Sequence, residues 1–449
     1  MALVAVALAA VAVAAGCAGE PTAPATPIPP RIVASTVVPG SFNVLSASVE
    51  VDVRKADSVK VLVHALGNPS IPDTETPAVS ARGDTASIPV LGLRPVQRYL
   101  LQPVAYRGRI SVVGDSLSFL TGTVPPDLPQ FVAGGSSPSP GYVVLASGGY
   151  GLVLDNAGQV VWYRAFADGP GLNFMASQGY YAARPMAPGT TDVHPWVELD
   201  AMGRVTRTFG CARNLEPRFH DWIREADGGY WIMCDETRTM DLSTLGGRPA
   251  ALVTGTVVQH IGGTGVLLFE WSAFDHFALV DLDPADRLGP MVNWTHGNAI
   301  AIDADGNLLV SFRSLSEITK ISTTTGAVIW RFGGRANQFA FDGAPLPAFI
   351  GQHGLRITGP GELLILDNRG EATGTRVERY QLDEAAHTAH RVGALSSPPA
   401  VVGLLGGSVQ QLAGGRVLAS YGSGRKVEEY DAAGAAVWEL SGGGPAYLF

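Results

Sequence analysis

Cysteines and charges are scarce in this chain, and helical periodicity is absent over most of it. Three cysteines in 449 residues are too few for a disulfide scaffold. Neither Cys-x-x-Cys nor His-x-x-x-His occurs, so the short metal-ligand signatures are missing and no metal or other cofactor is expected. Charged residues make up only 16%, and the net charge of -9 argues against a nucleic-acid partner, because phosphate backbones need a basic face. No glycine-rich loop with a phosphate-binding lysine appears, which argues against a nucleotide donor. After Pro126 no long stretch repeats its apolar residues at the helical period. What is abundant is apolar character, at 46%, and glycine, at 55 residues, a balance that suits short strands joined by tight turns.

A long apolar run occurs only at the start. Ala2 to Gly16 is almost wholly Ala, Val and Leu, shorter than the roughly 20 residues of a spanning helix and therefore expected to be a signal-peptide core. The small residues before Cys17 resemble a bacterial lipoprotein processing site, which makes Cys17 a candidate for lipidation. Residues 1–17 are thus expected to direct export, to the periplasm or cell surface, with membrane attachment only through an N-terminal lipid. Residues 18–30 read as a Pro-rich tether.

From residue 31 to 126 about seven short runs, such as the alternating Ser46 to Val53, predict an immunoglobulin-like or fibronectin-like β-sandwich. Leu93-Arg94-Pro95 followed by Tyr99 resembles the tyrosine corner of such modules. Residues 127–140, rich in Pro, Gly and Ser, read as a linker. From 141 to 449 the chain repeats. One phrase sets Gly four residues before Trp, at Gly158/Trp162, Gly326/Trp330 and Gly434/Trp438.

A second phrase opens on histidine: Phe219-His220-Asp221-Trp222, Thr295-His296-Gly297-Asn298 and Gln352-His353-Gly354-Leu355, each followed by a tight turn and an apolar run. Ser408 takes the histidine's place in a fourth copy. These are hairpin signals. Roughly 320 residues at about 40 to 50 per four-stranded blade give six or seven blades, and the strongest phrases count six. The predicted fold is all-β, a six-bladed β-propeller preceded by the sandwich, with matched repeat positions converging on one mouth of a central channel.

Convergence would bring His220, His296 and His353 together beside Arg313, which ends the hairpin of His296. Three imidazoles and a guanidinium suit an oxyanion such as a sulfate or phosphate ester, and histidine can itself be a nucleophile. Two other readings stand beside this one. Repeated histidines can be structural, tying neighbouring strands together; three imidazoles can also bind zinc, although an adjacent Arg would repel a dication. His387 and His390 fall in a polar connection and are expected to be solvent-exposed. Cys211 and Cys234 flank His220 and could pair in an exported protein, or remain free buried thiols.

Longer phrases carry a resemblance. Ser311-Phe312-Arg313-Ser314, Gly326 to Gly334, Phe349 to Arg356, Phe269 to His276 and Phe219 to Trp222 resemble the bacterial arylsulfotransferase family over about residues 140–449. The resemblance implies an exported enzyme without a cofactor, moving a sulfuryl group from an aryl sulfate to a phenol. On it, His353 matches the histidine that becomes sulfated, while His220, His296 and Arg313 match residues that hold sulfate oxygens. Asn298 and Arg369 lie in similar motifs and would contact substrate. Gly354 departs from the pattern, standing where an Asp often follows the nucleophile. The competing function is a non-catalytic cell-surface propeller that binds an anionic ligand or a protein partner.

Overall fold

Alternation of apolar side chains along short runs builds the fold, and it is all-β. The computed structural model describes residues 28–166, 172–177, 180–184, 193–342, 348–368 and 374–443. Residues 1–17, with Cys17, and Arg369 lie outside them. Among the described residues no helix is long and apolar enough to cross a membrane.

The N-terminal part holds two antiparallel sheets. Strands Ala47–Arg54 and Ser58–Ala65 alternate valines inward. Val49, Val51 and Val53 meet Val59, Val61, Tyr99 and Leu101 in one core, and each buried valine contributes about 1.5–2 kcal/mol. The Arg94 backbone N–H donates to Tyr99 Oη at 2.8 Å, the corner bond expected from the sequence.

Six further sheets follow among the described residues. At one edge of each lies Val143–Ser147, Asn173–Ser177, Glu216–Arg224, Gly297–Ile302, His353–Gly359 or Ser408–Gln411. Successive members of this series pack against one another. Together they line a cavity of about 670 Å³.

The Gly-to-Trp phrase links one sheet to the next. Gly158 and Gly434 sit at φ of 77° and 87°, the left-handed turn position that glycine fills without a Cβ penalty. Trp162 Nε1 then donates to Ala201 O, and Trp438 Nε1 to Asn156 O, both at 2.9 Å. The last sheet is thus tied to the first.

Residues 127–140, expected to be a linker, contain the strand Phe131–Gly135, which pairs antiparallel with Ala436–Gly442. The Ala and two glycines of its Phe-Val-Ala-Gly-Gly sequence weaken the strand propensity of the Phe and Val. The partner strand some 300 residues away supplies the hydrogen bonds, a long-range effect that local composition does not reveal.

Candidate functional site

Departures from regular strand present His220 and His296, whereas His353 begins a strand. Strand Glu216–Arg224 departs from its register with Tyr230–Met240 between Pro217 and Trp222, so residues 218–221 leave the ladder. Two carbonyls freed by this bulge, those of Phe219 and His220, accept from Asn173 Nδ2 at 2.5 and 2.9 Å. Bulges of this kind re-aim side chains beside functional sites. His296 precedes its strand at φ 50°, a left-handed conformation that costs a non-glycine residue about 1–3 kcal/mol. Its carbonyl accepts the Arg313 N–H at 3.0 Å, and its Nδ1 lies 2.5 Å from Asn293 Nδ2. His353 opens the strand His353–Gly359 and is 2% exposed.

The three histidines converge. His220 Nε2 lies 3.0 Å from His296 Nε2, and the His220 ring centre is 5.1 Å from that of His296 and 5.4 Å from that of His353. Arg313 directs Nη2 towards Leu404 O at 3.4 Å. Asn298, 4% exposed, donates through Nδ2 to Gln352 O at 2.6 Å. It thereby braces the residue before His353, and it also lines the cavity with His220 and Arg356.

Burial holds the imidazoles neutral. His220 is driven well below the ordinary histidine range by desolvation, then by His353, Arg218 and Arg313. His296 is driven down in the same way, with Arg218 the largest of the charges acting on it. Desolvation also lowers His353 to about 4, against the upward pull of its hydrogen bond with Asn368. At neutral pH the cluster is therefore three uncharged rings flanked by guanidiniums. The local field is thus positive in a chain whose net charge is negative, and a preorganised field of that sign can stabilise an oxyanion.

Three residues escaped the sequence reading. Arg218, 4% exposed and ion-paired with Asp235, is a second guanidinium, so Arg313 is not alone beside the imidazoles. Its position two residues before His220 gave no usable signal, because the bulge takes residues 218–221 out of the strand's alternation. Asn368 and Asn293, which bond His353 and His296, gave none. Gly354 has a physical explanation. At φ 63°, a Cβ there would lie 2.8 Å from Ser408 Cα and Val409 N, so no side chain fits between these inner strands.

Cys211 and Cys234 are disulfide-bonded, with Cα atoms 6.2 Å apart. Cys234 lies opposite Pro217 and Asp235 opposite Glu216, so the bridge secures the strand that holds Arg218. His390 is exposed as expected, while His387 is half-buried and stacks on Phe339 with ring centres 5.2 Å apart. Among the described residues no group of His, Cys, Asp and Glu is arranged to hold a metal ion.

Likeness to solved structures is slight. A protein of unknown function from Bacteroides caccae is 12% identical with a TM-score of 0.41, covering 70% of this chain and 94% of that one. A streptogramin B lyase is 11% identical at 0.40, covering 72% and 93%. A catalytically inactive virginiamycin B lyase from Staphylococcus aureus, with quinupristin, is 10% identical at 0.39, covering 72% and 86%. Scores this low carry no argument about fold or function. No curated protein matches by sequence. The family model for arylsulfotransferase (ASST) matches residues 214–443, which include His220, His296, Arg313 and His353. Spanning just over half of the sequence, that match places the chain in the arylsulfotransferase family.

Proposed function

We propose that this protein transfers a sulfuryl group from an aryl sulfate to a phenol, without a nucleotide donor, through a sulfohistidine on His353. The observation that carries the reading is a buried, neutral His353 within 5.4 Å, ring centre to ring centre, of His220, in a cluster under the field of Arg313 and Arg218. Sulfuryl transfer resembles phosphoryl transfer in spreading charge over equatorial oxygens, so positioning and electrostatics dominate its catalysis.

In the first half-reaction a ring nitrogen of His353 forms a bond to sulfur as the sulfur–oxygen ester bond breaks. The electron pair leaves on the phenolic oxygen as a phenolate, which accepts a hydrogen bond from the neutral His220–His296 pair and takes its proton from water on release. Arg313 and the two histidines hold the sulfate oxygens, and Asn298 contacts the substrate. In the second half-reaction the acceptor, its proton lost to water, attacks sulfur as a phenolate; the nitrogen–sulfur bond breaks and its electron pair returns to His353, giving ping-pong kinetics. Arg369 belongs to the same proposed site on sequence resemblance alone.

The wider architecture is part of the proposal. The six successive sheets, whose inner strands touch in order and whose last is tied to the first by Trp438, fit a six-bladed β-propeller over residues 141–449. The shared valine core fits a β-sandwich over residues 31–126. Residues 1–17 fit an export signal ending at a lipidated Cys17, which would place the enzyme in the periplasm or at the cell surface.

The test is incubation with a chromogenic aryl sulfate, with and without phenol. Phenol-dependent release that disappears in His353→Asn supports the transferase. Release with water alone would make the protein a sulfatase, and silence across many donors would leave an anion-binding module. Undiminished transfer in His353→Asn would refute the assignment of the nucleophile.

A further inference from the structure

We propose that Asn368 is a positioning residue that fixes the tautomer of His353, keeping the proton on Nδ1 and the attacking lone pair on Nε2. The catalytic consequence rests on the reading of His353 as the sulfuryl acceptor; the tautomer itself does not. In a neutral imidazole one nitrogen carries the proton and only the other can attack, so whatever fixes the tautomer also selects the nucleophilic atom.

His353 Nδ1 lies 2.7 Å from Asn368 Oδ1. Taken alone this contact is ambiguous, because an amide's oxygen and nitrogen exchange places on a flip and the direction of the bond would reverse. The other corner of the same amide decides the matter. Asn368 Nδ2 lies 2.7 Å from Gly403 O and 2.9 Å from Gly406 O. Carbonyl oxygens only accept, so that corner must be the NH₂ group. A flip would set an oxygen against two carbonyls, and each lost bond would leave a buried polar atom unpaired. The Asn368 oxygen therefore faces His353, and Nδ1 donates to it.

The surroundings hold this arrangement. Asn368 is 1% exposed and His353 2%. Thr375 Oγ1 donates to Asn368 O at 3.1 Å and accepts the Gly403 N–H at 2.8 Å, locking the loop of Gly403 and Gly406 to the same point. Arg313 Nη2 reaches Leu404 O in that loop, so one segment braces both the tautomer and the guanidinium.

A neutral amide suits the chemistry better than a carboxylate would. When Nε2 bonds to sulfur, the Nδ1 proton stays on the ring and the ring becomes cationic. The ester oxygen leaves with its electron pair, so atoms and charge balance without another reactant. An amide oxygen orients that cation without neutralising it, and the N–S bond remains labile towards the acceptor. A carboxylate in its place would stabilise the charged ring, both quenching the free nucleophile and holding the intermediate.

The test uses the full chain with ¹⁵N-histidine, observed at neutral pH and assigned by the signals lost in His353→Asn. His353 is expected to show a protonated Nδ1 and an unprotonated Nε2. In Asn368→Ala the two tautomers should mix, and kcat for aryl sulfate should fall about 100-fold with KM changed less than the rate. A wild-type His353 protonated on Nε2 overturns the proposal, as does an unchanged tautomer in folded Asn368→Ala. If that variant does not fold, the wild-type spectrum alone decides. Because the spectrum needs no turnover, an Nδ1–H tautomer in a chain inactive towards every aryl sulfate would leave the role of Asn368 standing and remove the transferase.

Discussion

His220 and His296 face each other Nε2 to Nε2 at 3.0 Å. Two unprotonated ring nitrogens would repel at that distance, so a proton lies between them and one ring donates to the other. Replacing either residue by Ala should lower kcat/KM about 100- to 1,000-fold, and the double variant should lose little more than either single one. Steady-state kinetics on the three variants checks this; additive losses would mean that the two rings act separately.

The acid side of the pH profile follows from the cause of the depressed pKa values. An unfolded histidine takes up a proton near pH 6.5, whereas in the folded cluster burial and the two guanidiniums delay uptake, for His353 to about 4. The folded state thus binds fewer protons than the unfolded chain across this window. Stability contributed by the neutral rings is complete above about pH 6.5 and is lost as pH falls towards 4. Activity on a donor with a good leaving group should persist below pH 6 and disappear near pH 4, where His353 takes up its proton. An acid limb at pH 6.5 would show that the imidazoles are hydrated.

Arg218 offers a separate handle on the same field. Arg218→Met removes a cation that depresses all three histidines, so the acid limb should move upward while sulfate binding weakens. Asp235→Asn instead leaves the buried guanidinium without its ion-pair partner and should cost about 3 kcal/mol, read as a lower unfolding midpoint. If both variants changed only stability, Arg218 would be a structural ion pair and nothing more.

Repetition is what made the histidine cluster legible. His220, His296 and His353 open similar hairpins, so any closed arrangement of equivalent hairpins brings them together whatever the intervening sequence. Arg313 was legible through its place at the end of one such hairpin. Arg218 was not, because a bulge decides which way residues 218–221 point and a bulge is set by hydrogen bonds such as those from Asn173, distant in sequence. Asn368 and the strand Phe131–Gly135 were hidden for the same reason: each gains its role from a partner far along the chain. The cysteine pairing could not be decided from two thiols 23 residues apart before the geometry was known.

Gly354 is expected to tolerate no side chain. With Ser408 Cα and Val409 N 2.8 Å from a would-be Cβ, and with a positive φ, Gly354→Ala must push the strand of His353 away from its neighbour. A loss of about 1–3 kcal/mol, together with a fall in activity out of proportion to the stability change, should result. Thermal unfolding beside turnover at a temperature where the variant is folded separates the two effects.

The disulfide gives a prediction that joins stability to the site. Cys211 and Cys234 are 23 residues apart in sequence, and closing a loop of that length stabilises by about 3 kcal/mol through the unfolded chain. The loop contains Arg218 and His220, and Cys234 sits beside Asp235 on the strand that pairs with theirs. Removing the bridge therefore loosens the bulge that aims Arg218 and His220, as well as lowering the unfolding midpoint. In Cys211→Ser/Cys234→Ser, activity should fall at temperatures well below unfolding, and the loss should appear in kcat more than in KM. A variant that melts earlier yet turns over normally when cold would show that the bridge holds the fold without holding the site.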